Sequence, residues 1–222
     1  MRPGAGVLST ARVTWRLCFA GLLTAGALLA QNWVIGGGAG LGGYRNGTVT
    51  SPSREASAGI RNGPAFTAAV TEDLFDHFAG EFRYLYHRGD SFVSQGAVSG
   101  AIRAQSHSFL YDALIHCGPR SERIRPFVAA GAGARYFDTT GAVPSPQPLP
   151  KVVSLATRSQ WKPMVDFGAG VKLRLAEHVV ASADFRDMVT PFPDRLFSLP
   201  SGASHRGMLH QFTPLIGLGY RF

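Results

Sequence analysis

Leu209-His-Gln-Phe-Thr-Pro-Leu-Ile-Gly-Leu-Gly-Tyr-Arg-Phe222 alternates between two chemistries and stops on an aromatic residue. Phe212, Pro214, Ile216, Leu218, Tyr220 and Phe222 fall on one face of an extended chain, and Gln211, Thr213, Leu215, Gly217, Gly219 and Arg221 on the other. Successive side chains of a strand point to opposite faces, so this segment has one greasy aromatic face and one small or polar face. That is the pattern of a strand between lipid and a crowded polar interior.

The other end of the chain fits such a destination. Arg2, Arg12 and Arg16 precede an apolar run, Leu17 to Ala30, whose polar side chains are Cys18 and Thr24. A basic stretch, a short apolar stretch and small residues after it read as an export signal, too short for a typical membrane-spanning helix. Cleavage is expected after Ala30, with Ala27 as the alternative; an uncleaved N-terminal anchor is the competing reading. Residues 1–30 are therefore taken as a signal peptide and residues 31–222 as one domain. The net charge of +8 falls to +5 when the three leader arginines are removed. The remaining arginines are scattered singly, which argues against nucleic-acid binding. Cys117 is then the one cysteine left, so no internal disulfide forms, and its thiol is expected to be buried or shielded. No stretch after residue 30 approaches the length of a membrane helix. If residues 31–222 enter a bilayer, they must do so as a closed barrel, which satisfies every backbone hydrogen bond without water.

Eight segments read as strands: about 32–44, 59–70, 78–88, 98–116, 123–137, 162–175, 178–188 and 209–222. The second is the weakest, because residues 65–74 would also tolerate a helix. Long connections follow the first, third, fifth and seventh segments, and short ones the second, fourth and sixth. An up-and-down barrel spanning an outer membrane has this layout, with tight turns inside and longer loops outside. The long connection that contains Pro144, Pro146, Pro148 and Pro150 resists regular structure. The fold class is thus all-β, an eight-stranded antiparallel up-and-down transmembrane barrel.

A soluble barrel also alternates, but with its apolar face inward. Two features favour the membrane. The polar faces hold the glycine pairs Gly131 with Gly133, Gly168 with Gly170 and Gly217 with Gly219, as expected where bulky groups crowd a narrow lumen. Tyr136, Phe185, Phe212, Tyr220 and Phe222 fall at strand ends, as interfacial girdles do. The interior is then expected to hold Glu81, Arg83, Asp112, Arg125, Arg135, Asp166, Lys172, Asp184 and Arg186. Both signs occur in similar number, so these charges can pair and fill a lumen that is only wide enough for side chains.

With these features in place, the chain resembles the small outer-membrane barrels of the OmpA-like and OmpW-like type. Ile216-Gly-Leu-Gly-Tyr-Arg-Phe222 resembles the terminal signal read by the barrel-assembly machinery, which would make Phe222, Tyr220 and Leu218 an assembly signal. Arg125-Pro-Phe-Val-Ala-Ala-Gly-Ala-Gly-Ala134 resembles the Pro-Tyr-x-Gly-x-Gly-x-Gly strand common in such barrels. No peptidoglycan-binding domain follows, so cell-wall tethering is not implied. The resemblance implies a bacterial outer-membrane location, a lipid environment, no cofactor, and a structural or surface-interaction role through the outer loops, whose ligand stays open. Two alternatives remain: a lipid A-modifying enzyme and a narrow channel for small or hydrophobic solutes. For the enzyme, Ser106, His107 and Ser108 are the nearest approach to a serine-histidine pair, yet His107 and Ser108 point to opposite faces. The seven histidines are spread singly and show no ligand spacing for a metal. Residues 36–43 are glycine-rich but lack the Lys-Ser/Thr of a nucleotide loop, and are expected to serve packing inside the barrel.

Overall fold

A computed structural model describes residues 33–51 and 54–222. The expected signal peptide and its cleavage site lie outside the described residues. In chain order the strands are β1 (Trp33–Arg45), β2 (Gly47–Ser51), β3 (Arg54–Ile60), β4 (Gly63–Asp73) and β5 (Phe78–Arg88). They continue with β6 (Ser91–Gln95), β7 (Val98–Ile102), β8 (Ala104–His116), β9 (Ile124–Thr139) and β10 (Ser154–Leu155). The last are β11 (Ser159–Arg174), β12 (Val179–Pro191), β13 (Phe197–Ser198), β14 (Ser204–Arg206) and β15 (Met208–Arg221).

Among the described residues, β1, β4, β5, β8, β9, β11, β12 and β15 pair antiparallel, each with its neighbours in that order, and β15 returns to β1 to close the barrel. Closure removes every unpaired sheet edge, the condition for leaving water behind. The closing seam runs from Val34 opposite Arg221 to Arg45 opposite His210. Phe222 extends it by one bond, its backbone N–H donating to the Trp33 carbonyl at 3.0 Å.

The connections sort as expected. Short turns join β4 to β5, β8 to β9 and β11 to β12 at one end, called here the turn end. At the opposite, loop end the long connections fold onto one another. The order β14-β2-β3-β6-β7 makes a five-stranded sheet among the described residues, and β10 pairs with β13. This extra sheet changes two boundaries read from the sequence. Gly59 and Ile60, assigned to the second barrel segment, belong to β3 and pair with Phe92 and Ser91. The barrel strand β4 instead runs on to Asp73. Val98–Ile102, assigned to the fourth segment, is β7 and pairs with β6, and the run breaks at Arg103. Local alternation cannot tell a barrel strand from its continuation into a cap, because both have period two.

The interior is layered. Beneath the cap, Val49, Val93, Phe137, Phe192, Leu196 and Leu209 belong to one buried apolar cluster. Ala65, Leu85, Leu110, Met164, Met188 and Leu215 form a second inside the barrel, and Ala79, Leu114, Phe127 and Ala129 a third. Cys117, expected to be shielded, is exposed. It follows His116, the last residue of β8, whose side chain faces the lumen, so alternation sends the thiol outward at the turn.

Candidate functional site

The two faces of the wall carry opposite chemistry. On β15, Ile216 is 71% exposed and Leu218 61%, whereas Gln211 and Thr213 are fully buried and Leu215 nearly so. Phe66, Phe82, Phe109, Val128, Phe167 and Phe185 are likewise exposed on the outward parity of their strands. A closed barrel with an apolar outside and a charged inside is stable only where hydrocarbon replaces water.

Arg186 on β12 is the hub of the lumen. Its Nη1 donates to Asp166 Oδ2 at 2.7 Å and to Asp112 Oδ2 at 3.1 Å, its Nε to Asp184 Oδ1 at 3.1 Å, and its Nη2 to Glu81 Oε1 at 3.3 Å. The guanidinium is fully buried and reaches carboxylates from β5, β8, β11 and β12 itself. Arg83 Nη2 donates to Glu81 Oε1 at 2.6 Å and approaches Asp184 Oδ2 at 3.5 Å. From β11, Lys172 Nζ lies 3.5 Å from Glu81 Oε2. Thr71 Oγ1 donates to that same oxygen at 2.8 Å. The planar fork of arginine makes such multidentate contact possible where a lysine could serve fewer partners.

Two of the nine expected luminal charges stand outside this cluster. Arg125 lies nearer the turn end, where its Nη1 donates to both oxygens of Asp73 at 3.1 and 3.2 Å. Arg135 forms no ion pair among the described residues, contrary to the expectation that the interior charges pair. Its Nε donates to Ser108 Oγ at 2.8 Å, and its Nη2 contacts Met188 Sδ at 3.1 Å. The reason is register. Arg135 sits opposite Ser108 and Lys162, while the carboxylates Asp112 and Asp166 flank Gly131. Four residues along β9 are about 13 Å. The central cluster therefore holds four carboxylates (Glu81, Asp112, Asp166, Asp184) against three cations (Arg83, Lys172, Arg186). Thr71 and Asp73 were missed in the sequence because the second segment was ended at Val70. The signal was there, since Ala65, Thr67, Ala69, Thr71 and Asp73 share one parity.

The glycines on the lumen face leave room for these side chains to lie against the wall. A Cβ on Gly131 would collide with Asp112 Oδ1, and one on Gly168 with the Arg186 side chain. Along β1, Gly42 is covered by His87 and Gln211, while Gly36 borders a cavity of about 50 Å3 that Glu81, Arg83 and Asp184 also line.

Ser106 and Ser108 face the lumen, whereas His107 lies on the outside of β8. There its Nδ1 is 2.8 Å from the Tyr84 hydroxyl, and its ring meets Tyr84, Tyr86 and Tyr136. Trp161 packs on Tyr136 and Phe109, so the rings form a continuous belt over β5, β8, β9 and β11. Tyrosine and tryptophan concentrate where apolar rings and polar tips both find partners, at the edge of a hydrocarbon layer.

The fold is that of the small eight-stranded outer-membrane barrels. Among solved structures, the outer membrane protein OprG from Pseudomonas aeruginosa matches 87% of this chain and 96% of its own at 14% identity, with a TM-score of 0.58. Neisserial surface protein A matches 86% of this chain and 96% of its own at 10% identity, TM-score 0.52. The outer membrane protein AlkL, solved in lipid bilayers, matches 86% of this chain and 90% of its own at 15% identity, TM-score 0.50. No protein-family model matches the chain, and no curated protein sequence matches it. Identities this low speak for shared architecture alone.

Proposed function

We propose that this protein is a bacterial outer-membrane β-barrel with a structural or surface-interaction role, its lumen plugged by side chains and its capped loop end turned outward. The observation that carries the reading is the Arg186 hub, which ties four strands together across the lumen where a pore would need water. The cavity of about 50 Å3 beside Gly36 has room for little more than water. Above it, the buried cluster around Val93, Phe137 and Phe197 covers the loop end. Phe222, Tyr220 and Leu218, exposed on the wall, serve as the terminal signal for the barrel-assembly machinery. Purified protein refolded in detergent is expected to give an all-β spectrum and heat-modifiable migration, and to leave planar bilayers silent. Steady single-channel conductance from the wild type would overturn the plug, and a protein soluble and monodisperse without detergent would overturn the membrane reading.

One observation favours a second reading, a narrow route for hydrophobic solutes. The β1–β15 pairing skips Leu41 and Gly42, opposite Pro214 and Thr213, where the proline brings no N–H. Ala39, Leu41, Phe185, Pro214 and Ile216 line a concavity of about 720 Å3 on the outer wall there. Uptake of an apolar fluorescent reporter by loaded vesicles tests it; a rate equal to that of empty vesicles ends this reading. The enzyme alternative is tested separately by replacing Ser106, His107 and Ser108 and following lipid A acylation in cells, where an unchanged lipid A profile counts against it.

A further inference from the structure

Two small cavities adjoin inside the turn end of the barrel. The outer one, of about 30 Å3, reaches Arg120 and Glu122 in the β8–β9 turn, and the inner one, of about 50 Å3, lies along the glycines of β1 and β15. Val34, Thr71, Lys172 and Val180 line both, so together they form a pit entered from the turn end. Glu81, Arg83 and Asp184 line its inner part, which sets the near side of the Arg186 hub as its floor.

The outer compartment is strongly cationic. Arg120, Arg123, Arg125, Lys172, Arg174 and Arg221 line it against two carboxylates, Asp73 and Glu122. Lys172 and Arg174 share the inward parity of Asp166 on β11, Arg123 continues that of Arg125 on β9, and Arg221 that of Gly217 and Gly219 on β15. These side chains therefore converge on the pit and not on the outer wall. Two of the six cations have a carboxylate of their own: Arg125 meets Asp73 at 3.1 Å and Lys172 meets Glu81 at 3.5 Å. Arg174 Nη2 donates to the Ser121 carbonyl at 2.6 Å and Arg123 Nε to the Arg174 carbonyl at 3.2 Å. Arg120 Nε donates to the Phe75 carbonyl at 3.3 Å and stands 3.8 Å from Asp76. Carbonyls orient a guanidinium without cancelling its charge. Arg123, Arg174 and Arg221 form no ion pair among the described residues. Arg125, more than nine-tenths buried, also keeps an Nε with no acceptor among them, a donor that is costly to leave unmade.

We propose that the outer compartment of this pit binds one small soluble oxyanion of the phosphate class. Six cations against two carboxylates favour a multiply charged ion over a singly charged one. Guanidinium forks match the oxygens of such an ion. The compartment has the room of about two waters, which suits a bare oxyanion and excludes a bulky ester. Lipid headgroups stand against the other face of the wall, so inward parity points to a dissolved ion. That the periplasm supplies it rests on the outer-membrane reading.

The test titrates inorganic phosphate into wild-type protein refolded in detergent, by calorimetry at constant ionic strength. One site per barrel is expected, with acetate weaker on the order of tenfold. Arg174→Gln combined with Arg221→Gln should weaken phosphate on the order of tenfold, and a loop-end control with Arg88→Gln and Arg103→Gln should bind as wild type does. Arg174→Lys combined with Arg221→Lys keeps the charge without the forks and should fall between. Absence of saturable phosphate binding, equal affinity for acetate, or an unweakened glutamine variant overturns the proposal. An equal loss in the loop-end control overturns it in favour of net-charge attraction, and displacement of phosphate by phosphatidylglycerol in mixed micelles overturns it in favour of a lipid headgroup. Heat-modifiable migration checks each barrel; if the glutamine variant does not fold, the lysine variant and the comparison of phosphate with acetate on wild type decide. A wild type that forms no barrel refutes the outer-membrane reading, whereas a folded barrel that takes up no phosphate refutes this inference alone.

Discussion

Replacing Arg186 with methionine is the most direct test of how the lumen is held. The substitution keeps the bulk of the stem and removes the guanidinium that serves Asp166, Asp112, Asp184 and Glu81. Breaking a single buried pair by deleting one partner costs about 3–5 kcal/mol, because the other charge is left buried and unmatched. Here four carboxylates lose a shared partner, and Arg83 and Lys172 remain for Glu81 and Asp184 only. We expect a loss near the top of that range, about 5 kcal/mol, a large part of the stability of an ordinary domain. The assay is reversible urea unfolding from lipid vesicles, followed by the fluorescence of Trp33 and Trp161. The excess of carboxylates sharpens the test. Asp112 binds the cluster through Oδ2 alone, so Asp112→Asn is expected to change stability by less than about 1 kcal/mol, and adding it to Arg186→Met should recover part of the loss. Should Arg186→Met cost less than about 1 kcal/mol, or Asp112→Asn cost as much as Arg186→Met, the hub reasoning fails.

Gly131→Val would push a side chain into Asp112 Oδ1 and the Tyr111 carbonyl oxygen and is expected to cost about 1–3 kcal/mol in the same assay; an unchanged midpoint would show that both the carboxylate and the β8 backbone can give way. In the loop after β12, the hydrogen bond from Lys162 holds the Asp194 carboxyl below its ordinary range, with a further bond from Gln160. A depressed carboxyl stabilises above its unfolded value and loses that contribution as pH falls through the folded one. Amide-exchange protection of Arg195, whose N–H donates to Gln160, should therefore persist through the ordinary carboxylate range and fall below it, and Lys162→Met should lower it already at neutral pH. Tyr84→Phe removes the hydroxyl facing His107 and should cost about 0.5–1.5 kcal/mol; no loss would place that contact in full competition with water. Deleting Phe222 removes the backbone bond to Trp33 and the terminal aromatic together, and should reduce barrel assembly in cells several-fold more than refolding in detergent. Equal loss in both settings would assign Phe222 to stability and not to recognition by the assembly machinery.

What was legible in the chain is what two-residue periodicity carries. The direction of each face of β15, the glycines under the lumen charges and the alternation of long and short connections all follow from local pattern, because a strand sends neighbours to opposite sides wherever it lies. The third segment, Phe78 to Arg88, is read to the residue because its charged and aromatic positions differ so plainly. Tertiary structure decided the rest. Whether Val98–Ile102 belongs to the wall or to the cap depends on its partner, β6, which no local signal names. Arg135 and Arg186 look alike in sequence, one face-inward arginine each. Only the register across β8, β9, β11 and β12 sets Arg186 among four carboxylates and leaves Arg135 about 13 Å along the strand, beside Ser108. Residue type and parity place a charge inside the barrel; the height at which it meets another is set by how eight strands are staggered on closure, a property of the whole sheet.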